Sequence, residues 1–497
     1  MSGSAALAFG DDPSVIELAG HLPGLPPDTV ERRVLTFGSG AAALRVAVPV
    51  LDAEQVERVA ATVRAAARGY LKTLPTAHIV AVIDAAIQRL LDREDPWRRK
   101  AERLLPVVTG YDPEMVRLGL TGYLKTFRAH ELRRFLAEDF ANPLVLDEFQ
   151  PAPKGGFTRA FGPDLLLHVW AGNVPGLPLW SLISGLLVKS GTVGKLPSAE
   201  PLFAGWFAQL LAEIDPRLGE CLAVVWWKGG DAAAERAWLA QADTVVAYGG
   251  NAALAAIRDR VPVTTRFLPY GHKISFALVS RAALDPRRSG ETARLAAHDI
   301  ARYDQQGCYS PQTLFVERGG RLSPQDFAAM LAHELAVQAR KHPRRVLSMA
   351  EAGEVAGWRD GQAMRGLDGS GHLLLSDPAG GWCVSCIDAP DGLAPTALNR
   401  TISVVAVDDL AEVAGRVAPH RAVLQTAGIA APPEELFRLA GPLGAAGVTR
   451  LCALGSMTAP EAGWHHDGRF NLLDLVTVTE IERSAEALAE GLARYAD

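Results

Sequence analysis

Between residues 165 and 268, short aliphatic runs alternate with stretches of helical spacing. Leu165-Leu-Leu-His-Val-Trp, Gly191–Lys195, Leu222-Ala-Val-Val-Trp-Trp, Thr244-Val-Val-Ala-Tyr and Thr264–Leu268 read as strands. Leu177–Leu187, a segment over 201–213, Ala232–Ala240 and Ala252–Arg258 read as the helices between them. Units of about 30 residues built this way cannot form hairpins; they predict a parallel, doubly wound sheet. Dinucleotides bind at the carboxyl ends of such strands. Residues 274–450 alternate again, with strands expected at 274–279, 312–316, 372–376 and 402–407 and helices at 292–303, 323–339 and 432–440. Before the first unit, apolar stripes at helical spacing run from Val56 to Phe140, punctuated by Pro75, Pro96, Pro106 and Gly110. The fold class is therefore α/β. Its expected divisions are a largely helical N-terminal region (1–150), a Rossmann-type cofactor domain (151–273), a second α/β domain (274–450) and a C-terminal segment (451–497).

The 497 residues supply enough chain for such a layout without disulfides. A formal charge of −6 argues against a nucleic-acid protein, which carries a basic excess. The apolar run Leu177–Val188 breaks at Lys189, short of the roughly 20 residues a membrane span needs. The N-terminus has no basic start and soon meets Asp11 and Asp12, so it reads poorly as a secretory signal. Five scattered cysteines, an odd number, fit a reducing cytoplasm better than a disulfide framework.

Three loops stand where a parallel sheet places chemistry. Gly249-Gly250-Asn251 follows a strand and opens a helix, a place where backbone approaches phosphate; a plain strand-to-helix turn is the alternative. Asn173, in Ala171-Gly-Asn-Val-Pro-Gly176, follows the first strand and could donate its amide to an oxyanion, or simply make a turn. Lys195 and Ser198 end the second strand and could hold a ribose or its phosphate, or stand as a solvated lysine and a helix cap. Cys308, in Gln306-Gly-Cys-Tyr-Ser-Pro311, sits in a turn where a thiolate can attack, although a lone cysteine is more often a small buried hydrophobe. Cys221 and Cys452 adjoin apolar runs. Cys383 and Cys386 form a C-x-x-C that no second pair completes into a metal set. His272 and His466 could transfer protons or merely pack.

Taken in order, HVWAGNVPG (168–176), GTVGKLPSAEP (191–201), VVAYGGNAAL (245–254), YGHKISFALV (270–279), DQQGCYSPQ (304–312), LQTAGIA (424–430) and HDGRFNLLDLV (466–476) resemble the aldehyde dehydrogenase superfamily. They look most like its LuxC-type acyl-CoA reductases, the fatty-acid reductases of bacterial bioluminescence. The resemblance covers residue 130 onward and is looser before it. It implies an aldehyde-dehydrogenase-like fold with a catalytic domain carrying Cys308 as nucleophile and Asn173 as oxyanion donor. It places Lys195 and Ser198 at the adenosine ribose, and Gly249, Gly250, Asn251 and Gly271 around the rest of the cofactor. It also implies an oligomerisation element, hence a homo-oligomer.

Two departures are informative. Hydrolytic relatives carry a Glu in E-L-G-G-K; here Pro269-Tyr-Gly-His-Lys273 puts Pro269 at that position, so no side chain there activates water. The E-x-F-G-P segment that holds the nicotinamide ribose is also absent, and Asn399-Arg400-Thr401 occupies its region. In Lys195-Leu-Pro-Ser198, Ser198 replaces the acidic residue that accepts a ribose 2′-hydroxyl, which removes repulsion against a 2′-phosphate. NADPH is the expected cofactor, with NADH an alternative; Glu200, two residues on, could reverse the preference. The expected reaction is reduction of an acyl-CoA or acyl-carrier-protein thioester to an aldehyde, with His272 a proton donor to the leaving thiolate. The reverse, CoA-acylating direction and a non-catalytic scaffold for an acyltransferase or ligase are the alternatives. Basic runs at 98–100 and 341–345 are candidate docking patches for an acidic carrier.

Overall fold

The computed structural model describes residues 16–40, 43–368, 372–388 and 392–494. The predicted alternation folds into a five-stranded, wholly parallel sheet. Its order is Arg266–Tyr270, Thr244–Tyr248, Leu165–Val169, Gly191–Lys195, Leu222–Val225. Chain order reverses on either side of Leu165–Val169, and the crevice outside such a reversal is where ligands enter. The strands read as continuous apolar runs because both faces are covered. Leu165 and Leu167 pack one way, with Val56, Val59 and Val63 of helix Ala53–Gly69. Leu166 packs the other way, with Leu182, Ile183, Phe207 and the helices of the N-terminal region. Helix Ala53–Gly69 starts where it does because Asp52 and Gln55 cap each other's backbone amides, an arrangement worth about 1 kcal/mol.

The second sheet has seven strands: Leu373–Ser376, Cys383–Ile387, Thr401–Val407, Pro311–Glu317, Ile274–Val279, Leu424–Ala430 and Arg450–Ala453, in that spatial order. All pair in parallel except Leu373–Ser376. Three of these strands, Cys383–Ile387, Leu424–Ala430 and Arg450–Ala453, were not expected from sequence, because Gly and polar residues interrupt their apolar runs. Cys383 and Cys386 fall on one strand three apart, so their side chains leave opposite faces, and both are buried. Among the described residues no group of His, Cys, Asp and Glu could hold a metal ion. Nor, among the described residues, is any single helix long and apolar enough to cross a membrane.

The chain's last segment returns to a separate three-stranded sheet, Thr477–Ile481, Phe157–Phe161 and Gln150–Pro151 in spatial order. Thr477–Ile481 pairs antiparallel with Phe157–Phe161, and the Arg266 guanidinium donates to the carbonyls of Asp474 and Val476 at 2.8 and 3.0 Å. Much of the two basic runs expected as docking patches is tied into the fold, while Arg99 and Lys341 stay exposed. Arg98 is buried and donates to Glu102, Thr121 and the carbonyls of Leu90 and Arg117, while Lys100 pairs with Glu17. His342 pairs with Asp112 at 2.8 Å, and Arg345 pairs with Glu351. A run of like charge reads as a surface only when its neighbours are unknown.

Candidate active site

The carboxyl ends of the first sheet face the amino ends of the second. Between them lies a cavity of about 680 Å³, within the range of small-molecule sites. Tyr248 to Gly250 and Tyr270 to Lys273 close it from the first sheet, and Gln305 to Tyr309 and Gln425 from the second. Asn173, Cys308, Gly249, Gly250, Gly271 and His272 all line it. Lys195, Ser198 and Asn251 do not.

Cys308 reaches the cavity through a strained connection. Helix Ser289–Ala301 ends, and Tyr303, Asp304 and Gln305 follow in left-handed backbone at φ 48°, 50° and 63°. Each such residue costs about 1–3 kcal/mol, so surroundings must hold it. A second left-handed run, Leu398, Asn399 and Arg400, lies against it at φ 53°, 52° and 68°. Arg400 donates to Asp304 at 2.8 Å with both side chains out of water. The Asn399 amide donates to the Asp304 carbonyl at 3.0 Å, and Gln305 donates to the carbonyls of Pro311 and Thr401. The Asn399–Thr401 segment therefore anchors the cysteine loop, and only Leu398 beside it lines the cavity.

Burial pushes the Cys308 thiol up to about 11, and Asp467 adds to the rise while the Gln425 side chain opposes it. The other four thiols are pushed up as well, to about 11 or 12. Basicity does not single out Cys308; access does, because it alone of the five lines the cavity.

Asn173 stands opposite. Its amide donates to the Gln306 carbonyl at 2.6 Å, and its own carbonyl accepts from the Tyr111 hydroxyl at 2.8 Å. The first bond brings the amide against the loop that carries Cys308, with one N–H still to give. His272 is exposed on the cavity wall. His466, weighed in the sequence without a role, stacks on Tyr270 at 4.6 Å, and Tyr270 on Tyr248 at 5.0 Å. Burial lowers the His466 pKa, so the ring enters this stack uncharged at pH 7.

The cofactor expectations divide along the sheet edge. A Cβ added at Gly250 would meet nothing within 4 Å, and one at Gly249 only Ala253 at 3.8 Å, so the turn before helix Asn251–Arg258 lies open. Backbone amides at an open helix start fit a phosphate. One crevice along, the buried Lys195 ammonium lies over the Trp227 ring at 5.8 Å, and Ser198 accepts from the Trp226 indole at 3.2 Å. Glu200 is turned inward: one oxygen accepts from the amides of Leu202 and Phe203 at 2.8 and 2.9 Å. It caps a helix and does not face a ribose.

Sequence reasoning missed Tyr111, Ser275, Gln425 and Asp467. The Ser275 hydroxyl donates to the Cys308 carbonyl at 2.7 Å and accepts from Thr426 N at 3.1 Å, where the pairing of strand Ile274–Val279 shifts register. Ser275, Gln425 and Asp467 lie in segments that carry the resemblance, but nothing local tells what each does, because their partners are far away in the chain.

A family model described as Acyl-CoA reductase (LuxC) matches residues 71–478. The chain is 25% identical over 425 residues to a long-chain acyl-protein thioester reductase of Vibrio harveyi, covering 83% of this chain and 84% of that one. It is 27% identical over 389 residues to long-chain acyl-protein thioester reductase 2 of Photobacterium leiognathi, covering 75% and 76%. Among solved structures it resembles an aldehyde dehydrogenase of Physcomitrella patens (TM-score 0.70, 14% identity, 94% of this chain and 98% of that one). It also resembles the P. syringae indole-3-acetaldehyde dehydrogenase in complex with NAD+ (TM-score 0.71, 15% identity, 93% and 96%). The fold is that of the aldehyde dehydrogenases.

Proposed function

The chain belongs to the LuxC family of acyl-CoA reductases, and from that footing we propose that it reduces a long-chain acyl thioester to an aldehyde through Cys308. The observation that carries this reading is the pairing of an accessible thiol with an amide donor where a water-activating acid is missing. Pro269 stands in an edge strand, where its missing N–H costs no ladder bond, and it brings no carboxylate to the cavity. The acids that line the cavity are Glu131 and Glu461, and Glu461 is exposed and paired with Arg134 at 2.9 Å.

The Cys308 thiolate attacks the thioester carbonyl, and the second Asn173 N–H receives the oxyanion. The carbon–sulfur bond to the carrier breaks and the carrier thiolate leaves, with His272 on the wall as a proton source. A reduced nicotinamide, when bound, supplies hydride to the acyl carbon. Collapse of the resulting oxyanion releases aldehyde and returns Cys308 as thiolate. With no carboxylate at position 269, no base there activates water against the acyl-cysteine meanwhile.

Gly249 and Gly250 would hold the cofactor phosphates, with Asn251 and Gly271 beside them and Lys195 and Ser198 at the adenosine ribose. With Glu200 turned away, the ribose end meets no carboxylate from this loop, which favours NADPH over NADH. The acyl chain would run between helices Pro113–Lys125 and Pro178–Leu187, past Leu118, Gly122, Tyr123 and Trp180. The donor thiol belongs to a carrier protein or CoA, and the protein acts as a homo-oligomer.

The test pairs activity with a covalent adduct. Incubation with a long-chain acyl-CoA or acyl-carrier protein should consume NADPH, and Cys308→Ala should not. Without cofactor, mass spectrometry should find acyl on Cys308 and on no other cysteine. Asn173→Ala should lower kcat by about 10²–10³ while leaving the adduct site unchanged. NADPH consumption by Cys308→Ala at the native rate would overturn the reading.

A further inference from the structure

The strand Leu424–Ala430 and the segment around Asp467 meet at the nucleophile, and the reaction as written uses neither. Ser275 fixes the first of them: its hydroxyl bridges the Cys308 carbonyl and Thr426 N, so Gln425 lies beside the thiol. Gln425 is fully buried. Its amide nitrogen donates to Asp467 Oδ1 at 2.6 Å, and the side chain lines the same cavity wall as the Cys308 thiol, whose rise in pKa it opposes. Its amide oxygen is buried with no partner. Asp467 sits in left-handed backbone at φ 55°, a conformation its surroundings must impose. Lys273 Nζ and His466 Nε2 each lie 3.8 Å from its carboxylate.

An amide can face a neighbour with either end. A carboxylate only accepts, so Asp467 selects the nitrogen end and disfavours the flip that would set oxygen against oxygen. The nitrogen's second N–H is then left for the sulfur on the same wall. A donor there favours thiolate over thiol, because hydrogen bonds to the charged form lower a pKa. On the reading of Cys308 as the nucleophile, we propose that Gln425 is a catalytic residue that donates to the Cys308 thiolate, and that Asp467 is the positioning residue that fixes which end of the amide faces the sulfur. The arrangement explains an acid kept close to a nucleophile it repels. Asp467 acts on the thiol twice, against it through charge and for it through Gln425.

Tyr248 and the adjoining Tyr309 interact with the thiol, and Lys273, His272, Arg302 and His466 line the same cavity from other elements. None of them changes in the experiment. Iodoacetamide labelling of Cys308 is followed by mass spectrometry across pH in the full-length protein. Four forms are compared: native, Gln425→Met, Asp467→Asn and the double variant. Gln425→Met should raise the labelling midpoint and slow labelling about tenfold below it, as loss of one hydrogen bond to a charged group implies. In the Gln425→Met background, Asp467→Asn removes only charge and should lower the midpoint. In the native background it also frees the amide to flip, so the midpoint should fall less or rise. Gln425→Asn, which withdraws the amide from the sulfur, should act in the same direction as Gln425→Met and replaces it if that variant is unstable. An unchanged or lowered midpoint on losing the amide, or additive shifts in the four-way comparison, overturns the proposal. Labelling needs no substrate. Failure here with an inactive Cys308→Ala sinks only this inference, and an active Cys308→Ala sinks the nucleophile reading itself.

Discussion

Cys308 and Glu200 show how much a single position owes to its surroundings. Cys308 is as buried electrostatically as the four bystander thiols, and what distinguishes it is a place on the cavity wall. That place was legible, because a turn between a helix and a strand exposes its residues. Gln425 was not legible: its partner Asp467 lies 42 residues on, and polar residues in a strand-like run look like faults in it. Glu200 gives a clean pH prediction. Burial raises its pKa from the ordinary 4.5 to about 7. The folded chain therefore holds a proton that the unfolded chain releases between those values. Stability should fall as pH rises through that window and level off above it. Urea midpoints of the native protein and Glu200→Gln, taken at pH 5 and 8, should show the native protein losing more ground, and equal losses would refute the assignment.

At the scale of elements, the two left-handed runs at 303–305 and 398–400 act as one unit. Their buried Asp304–Arg400 pair lacks an exposed escape, so Arg400→Met should leave an unpaired carboxylate and cost about 3–5 kcal/mol in equilibrium unfolding. Activity should drop with it, since the same unit aims Cys308. Periodicity in the sequence showed most of the helices and most strands of the two large sheets, but not helix Met349–Arg365. It could not show this clamp, because positive φ at Tyr303, Asp304 and Gln305 contradicts their local preference and exists only by long-range contact. Helix Pro113–Lys125 carries a second prediction. A Cβ at Gly119 would come 1.8 Å from the Tyr303 hydroxyl oxygen, while one at Gly122 meets only Arg302 at 3.8 Å. Gly122→Leu should therefore fit into the cavity and shorten it, lowering the ratio of long-chain to short-chain kcat/KM about tenfold or more. The same substitution at Gly353, on an exposed helix with nothing within 4 Å, should leave that ratio unchanged.

The described molecule is built on two large sheets set end to end, with two three-stranded sheets beside them and the N-terminal helices packed on the first large one. Alternation made both sheets legible, and the resemblance joined them into an aldehyde dehydrogenase fold. The charge runs misled because sequence gives no partner for a charge. The strand Thr477–Ile481 forms an exposed edge with Val478 in water, and the helix after it, Arg483–Gly491, exposes Leu488 and, at its end, Leu492. Unpaired edges invite another chain. Val478→Lys with Leu488→Lys should move the protein to a smaller species in light scattering; an unchanged mass would count against self-association through this edge. The bond from the Asn173 amide to the Gln306 carbonyl joins the two sheets at the point of reaction. On the proposed reading it would act as a latch: any rocking that parted the halves to admit a cofactor or release an aldehyde would take the proposed oxyanion donor from the proposed nucleophile in the same motion. Opening and chemistry would then exclude each other, and an acyl-cysteine in an opened molecule would have no amide to help water attack it.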